Sequence, residues 1–251
     1  MRGNMLERMA LAAVAFLVVA LGLVPESAHA SVIQTASGLS SVKTPVSFKA
    51  ELTIAGDTLT VTLYNTSTVN SSAPNDILSS YYFDIINSGS VRPALTYGSA
   101  SGDVWLTDKD AADGLQPPAG ANLMAVNAGD DTWAFKTFNA ASNPFLGFGL
   151  GTVGNNNLTP NNFSGNIVGG FNYSIYAGDI TTQNLDDTLL VKGPVTFTFS
   201  GVSGFSESDI SSQFVFGMGT APDSFMTPEP ATLAFLALGG VGLLVRRRRG
   251  T

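Results

Sequence analysis

The chain has 251 residues, with 19 acidic and 12 basic side chains, a formal net charge of −7, one histidine and no cysteine. Disulfides, Cys-held zinc and Cys nucleophiles are excluded, and an acidic balance argues against nucleic-acid binding, which needs a basic footprint. The charge is also unevenly placed: residues 31–226 hold six Lys/Arg against sixteen Asp/Glu, a net of −10.

Arg2 and Arg8 form a basic start, residues 9–24 are apolar, and Ala28-His29-Ala30 has the small-x-small spacing that precedes signal-peptidase cleavage. The expected arrangement is a signal helix within residues 1–30, export through the Sec machinery, and a mature chain that begins at Ser31. Cleavage after Ala30 takes His29 with it. The mature chain then has neither histidine nor cysteine, which removes Ser-His-Asp triads, His- or Cys-held zinc and haem ligation by those residues. Without disulfides the fold rests on an apolar core, and residues 31–226 are enough chain to bury one domain core.

Val46, Phe48, Ala50, Leu52 and Ile54 alternate with other residues, Gly56-Asp57 supplies a turn, and Leu59, Val61 and Leu63 alternate with Thr58, Thr60 and Thr62. A period of two on both sides of a turn predicts an antiparallel hairpin with one buried face. Shorter runs of this kind lie at 81–86, 104–107, 122–126, 132–138, 171–176, 189–192, 195–199 and 214–218. No amphipathic helix of three turns lies between the two ends of the chain, and no fixed short repeat of the kind a β-helix needs is present. About ten short strands predict an all-β fold, an antiparallel β-sandwich or jelly roll. Ser206 and Asp209 have capping-box-like spacing, so 206–210 is expected to form one helical turn. Between 145 and 171 the chain changes character: Gly147, Gly149, Gly151 and Gly154 lead into Asn155, Asn156 and Asn157, and the segment is expected to be a long exposed loop with flanking strand.

Chemistry-bearing clusters are few. Asp108, Asp110 and Asp113, followed by Gly114, place three carboxylates after a strand, the hard oxygen donors that calcium takes. An EF-hand loop opening at Asp108 needs an oxygen ligand at 112, glycine at 113 and glutamate at 119. The chain has Ala112, Asp113 and Ala119, so an irregular calcium loop is the metal reading left, with a solvated acidic loop as its rival. Asp130-Asp131 and Asp186-Asp187 read as turns. Gly149-Leu150-Gly151-Thr152-Val153-Gly154 satisfies G-x-G-x-x-G, but the continuation through Asn155, Asn156, Asn157 and Pro160 is not the helix a dinucleotide site requires. Glycoside hydrolysis needs two carboxylates about 5–9.5 Å apart beside an aromatic platform. Trp105, Trp133, Tyr81, Tyr82, Tyr173 and Tyr176 are candidates for that platform or for a non-catalytic sugar-binding face, and equally for the core. Nothing in the sequence selects a pair of carboxylates.

The tail is the specific stretch. Pro228 and Pro230 stop a helix from propagating in from the preceding domain. Residues 231–245 then carry Leu233, Phe235, Leu236, Leu238, Val241, Leu243, Leu244 and Val245 with no polar face, which predicts a membrane-spanning helix. It is a short one: 15 residues reach about 22 Å against about 30 Å of hydrocarbon. Arg246, Arg247, Arg248 and Arg249 mark the cytoplasmic end. Read this way alone, the tail is a membrane anchor.

The ordered set of Pro228-Glu229-Pro230, an apolar span and a terminal Arg cluster resembles the PEP-CTERM sorting signal of certain exopolysaccharide-producing Gram-negative bacteria. The resemblance implies an exosortase as processing partner, recognition at Pro228, Glu229 and Pro230, and cleavage at or near that motif. The expected organisation is a signal peptide at 1–30, a β-sandwich ectodomain at 31–226 and the sorting signal at 227–251. The expected function is that of an exported, non-catalytic component of the cell surface, extracellular matrix or biofilm, with exopolysaccharide as a candidate partner and no cofactor other than the candidate calcium. A carbohydrate-binding module and a glycan-active hydrolase are the alternatives.

Overall fold

A computed structural model describes residues 30–107, 115–116, 133–138, 146–152, 172–178, 188–219 and 224–226. Among them there are strands, bends and two 3-10 turns, with no α-helix. The strands are β1 (Val32–Leu39), β2 (Pro45–Ala55), β3 (Thr58–Asn65), β4 (Leu78–Phe83), β5 (Thr96–Thr107), β6 (Leu115–Gln116), β7 (Ala134–Thr137), β8 (Phe148–Gly151), β9 (Ile175–Tyr176), β10 (Leu189–Ser200), β11 (Val215–Met218) and β12 (Ser224–Met226).

Hydrogen bonding sorts them into two groups. One runs β1-β2-β3-β10-β5-β6 and the other β12-β11-β4-β8-β7, every pairing within them antiparallel. Two-residue β9 joins the groups, lying parallel to β10 at Val191 and Lys192 and antiparallel to β4 at Leu78. This is the one parallel pairing among the described residues.

The β2–β3 hairpin forms as its alternation predicts. Val46, Phe48, Ala50, Leu52 and Ile54 on β2, and Leu59, Val61 and Leu63 on β3, are buried. The turn between Ala55 and Thr58 is the two-residue Gly56-Asp57, with Gly56 at φ 61°. A positive φ at the first central position is the conformation glycine supplies at least cost. The runs expected at 189–192 and 195–199 are one strand, β10, whose pairing with β5 shifts register between Lys192 and Thr196, around Gly193 and Pro194. The 206–210 turn is present as a 3-10 turn at Glu207–Asp209, with Ser206 as N-cap and a reciprocal Asp209 bond. The run expected at 122–126 lies outside the described residues.

Four strands, β1, β6, β8 and β12, lie outside the alternating runs. β1 puts Gln34 and Ala36 toward the interior, a pair too polar and small to read as an apolar face. β8 falls where an exposed loop is expected, yet all four of its residues are buried, paired with β4 on one side and β7 on the other. The loop expectation is therefore corrected for 148–151; residues 153–171 lie outside the described chain.

The two groups face one another across a core of rings. Phe48 of β2 meets Phe216 of β11 at 5.8 Å, and Phe216 meets Tyr81 of β4 at 5.1 Å. Phe83 meets Phe148 at 5.5 Å, Phe148 meets Phe135 at 6.2 Å, and Phe135 meets Phe199 of β10 at 4.8 Å. Offset and edge contacts at these separations add about 0.5–1.5 kcal/mol each beyond burial of the rings. One polar link crosses the same space: the Tyr81 hydroxyl bonds Gln34 Oε1, and Gln34 Nε2 donates to the Ser211 carbonyl at 2.7 Å. Gln34 thus satisfies a buried hydroxyl, which explains a polar residue on the inner face of β1.

Candidate functional site

The sequence candidates divide by where the fold puts them. The acidic run lies in the chain between β5 and β6. Leu106 pairs with Gln116 and Thr107 with Leu115, so residues 108–114 connect β5 to β6. Asp108, Asp110 and Asp113 themselves lie outside the described residues, as do Asp130, Asp131, Asp186 and Asp187. Among the described residues no three acidic or His/Cys side chains gather closely enough to hold a metal.

The aromatic platform is corrected. Trp133, Tyr81, Tyr82, Tyr173 and Tyr176 are all buried, and only Trp105 is partly exposed. Trp133 packs edge-on against Phe197 and donates Nε1 to the Tyr173 carbonyl at 2.9 Å. Burial also holds the Tyr81 and Tyr82 hydroxyls protonated, with pKa values above the ordinary phenol value. Rings fixed in this way are core, and they offer no face on which a sugar can stack.

The described carboxylates are largely engaged in holding the fold. Asp57 Oδ1 accepts from the Gly201 and Ser203 amides, at 3.2 and 2.9 Å, tying the β2–β3 turn to the chain after β10. Asp76 Oδ2 accepts from Ser72 N, Ser72 Oγ and Ala73 N, and so organises the 3-10 turn Pro74–Asp76. Asp84, just after β4, takes Arg92 Nε at 2.8 Å and Arg92 Nη2 at 2.7 Å in a two-pronged ion pair, with side-chain exposures of 3% and 16%. The bonds to Asp84 raise the Arg92 pKa. On the outer face of β2 and β3, Glu51 accepts from Lys49 Nζ and from the Tyr64 hydroxyl, both at 2.8 Å, while Lys49 Nζ sits 3.8 Å from the centre of the Tyr64 ring. Those hydrogen bonds, Lys49 first, lower the Glu51 pKa, whereas burial and the bond to Glu51 push Tyr64 up to about 12.

Gly149-Leu150-Gly151, the first half of the G-x-G-x-x-G match, is strand β8. A Cβ on Gly149 would lie 2.8 Å from Tyr82 Cδ1 and 3.0 Å from Phe138 Cε2. A Cβ on Gly147 would lie 2.5 Å from Asp84 Oδ1 and 2.6 Å from Arg92 Nε. These glycines let β8 and the residues before it pack against β4 and the ion pair. The second half of the match, from Val153, lies outside the described residues.

Asn65, at the end of β3, donates Nδ2 to the Asp76 and Ile175 carbonyls at 3.1 Å each.

The remaining candidates sit at the ends of the folded region. Ala30 and Ser31 are exposed and immediately precede β1, while Ala28 lies outside the described residues. At the other end β12 stops at Met226, the residue before Thr227. Pro228, Glu229, Pro230 and Arg246, Arg247, Arg248 and Arg249 lie outside the described residues, and among the described residues no helix is long and apolar enough to cross a membrane.

Comparison with known families decides what this end is: residues 227–249 match the family model described as the PEP-CTERM protein-sorting motif. The chain ends in a PEP-CTERM sorting signal. The PEP-CTERM motif indicates an exported protein sorted by an exosortase, here one whose described region is a β-rich domain. A search of curated proteins finds no match. Among solved structures, the KRT10-binding region domain of the pneumococcal serine-rich repeat protein PsrP is similar at 16% identity and a TM-score of 0.28, over 79% of this chain and 97% of that one.

Proposed function

We propose that this PEP-CTERM protein is a non-catalytic component of the cell surface or extracellular matrix, carried there as a β-sandwich or jelly-roll-like domain spanning residues 31–226. The observation that carries the reading is the sorting motif at 227–249, placed directly after the last strand. The sandwich assignment is supported by the two strand groups meeting through Phe48, Phe216, Phe135 and Phe199. The non-catalytic assignment is supported by the aromatic candidates being core and by Asp57, Asp76 and Asp84 serving turns and an ion pair.

In this reading signal peptidase cuts between Ala30 and Ser31, the exosortase acts at or near Pro228, Glu229 and Pro230, and Arg246 to Arg249 stay on the cytoplasmic side of the membrane until then. Mass spectrometry of the protein from cell fractions of an exosortase-bearing host tests all of it together. The expected result is a surface or matrix form that starts at Ser31 and lacks the Arg cluster. Mature surface protein retaining Arg249 overturns the processing, and polysaccharide turnover by the purified protein overturns the non-catalytic assignment. Calcium bound in the β5–β6 connection by Asp108, Asp110 and Asp113, and a sugar ligand dependent on it, would show as glycan-array binding lost on chelation.

A further inference from the structure

The folded domain and the sorting motif share no spacer. β12 is paired with β11 through Met226, opposite Phe216, and the matched motif begins at Thr227. Only residues 227–230 separate that last paired residue from the apolar run at 231, and four extended residues reach no more than about 14 Å. A peptidase that takes its substrate as an extended chain engages backbone on both sides of the cut through main-chain hydrogen bonds. On the N-terminal side that backbone is Ser224–Met226, and in the folded domain it is already bonded into the sheet.

We propose that β12 is a latch on the sorting signal, a strand that must separate from β11 before the exosortase can engage the chain at Pro228, Glu229 and Pro230. The proposal rests on the reading that the tail is processed there. β12 suits the role because it is three residues long, stands at the end of its strand group and, among the described residues, pairs only with β11. Short edge segments are the parts of a domain that open at least cost. Opening stops at β11, where Val215, Phe216 and Met218 are buried and the strand is paired with β4. β1, at the other end of the pairing order, is held to β2 over eight residue pairs, whereas β12 is held to β11 over three, so the two terminal strands differ in how readily they let go. When opening is fast relative to cleavage, processing follows the population of the open form.

The test uses the full-length chain in its exosortase-bearing host. The chain has no cysteine of its own, so Gly217→Cys with Phe225→Cys, opposite one another in register, makes a unique staple between β11 and β12. Directly opposed residues of an antiparallel pair lie within disulfide range. The oxidised variant is expected to lose its tail at least roughly tenfold more slowly than the same variant kept reduced, because the open population is removed. A flexible Gly/Ser insert of about ten residues between Met226 and Thr227, spanning about 17 Å, is expected to restore processing to the oxidised staple. Equal rates for oxidised and reduced forms overturn the latch, as does an oxidised staple still resistant with the insert in place. A wild-type chain that keeps its tail in the same host overturns the processing reading itself, and the latch with it.

Discussion

Three strands of each group bury their residues by different rules. Along β2, β3 and the second half of β10, each alternate residue is buried and its neighbours, Lys49, Glu51, Thr60, Thr62, Thr196 and Thr198 among them, are part-exposed. Along β4, β8 and β11 every residue is buried, including Ser79, Ser80 and the two glycines of β8. The second face of β4 is covered by a smaller cluster in which Tyr82, Phe138, Leu146 and Val215 pack together. The contrast shows that a strand displays period two only while one of its faces still meets water.

The largest effect is expected at the Asp84–Arg92 pair beside β4. Arg92→Leu leaves the Asp84 carboxylate nearly buried without its two-pronged partner, and the expected loss is about 3 kcal/mol, the lower end of the range for a broken buried pair because Arg92 is not fully enclosed. Urea unfolding of the purified protein measures it. A loss indistinguishable from that of an exposed charge would place the pair outside the packed layer. Next is Gly149→Ala, which forces Tyr82 or Phe138 to move and is expected to cost about 1–3 kcal/mol; the double variant with Tyr82→Leu should recover part of the loss.

The smallest effect belongs to the one-faced group. Glu51→Gln is expected to cost no more than about 1 kcal/mol at neutral pH, since the Lys49–Glu51–Tyr64 set is surface-facing. Its signature is in the pH dependence. The folded-state pKa of Glu51 is lowered, so its contribution is present above the ordinary carboxylate range and lost as pH falls through the lowered value. Tyr64 is raised from 10 to about 12, so its contribution is present below about pH 10 and lost as pH climbs through 12. Unfolding midpoints of Glu51→Gln should therefore lose part of the wild-type decline on the acid side, and an unchanged acid limb would remove Glu51 from that balance.

The legibility of each strand follows its surroundings. β2 and β3 were readable because five and three core residues alternate without interruption. β1 was hidden because its inner face is Gln34 and Ala36, a choice that makes sense only once the Tyr81 hydroxyl is seen beside Gln34. β8 was hidden by glycines, which read locally as loop and in place as room for Tyr82 and Phe138. The aromatic side chains were ambiguous for a related reason: a tyrosine that stacks on a ligand and one that fills a core have the same local sequence.

The sorting signal needed no fold to be recognised. Pro228-Glu229-Pro230, the apolar run and Arg246 to Arg249 act by order, hydropathy and charge along the chain, and these are properties of sequence. The absence of cysteine, and of any histidine beyond His29, is equally a fact of sequence, and it bounds the chemistry of whatever is exported. Tertiary structure alone decided that Tyr81, Tyr82 and Trp133 are interior, that Asp84 belongs to Arg92, and that β12 pairs with β11 up to the residue before the motif. Those facts depend on which distant segments meet, and the meeting is set by mutual packing between strands far apart in sequence, which no local pattern along the chain records.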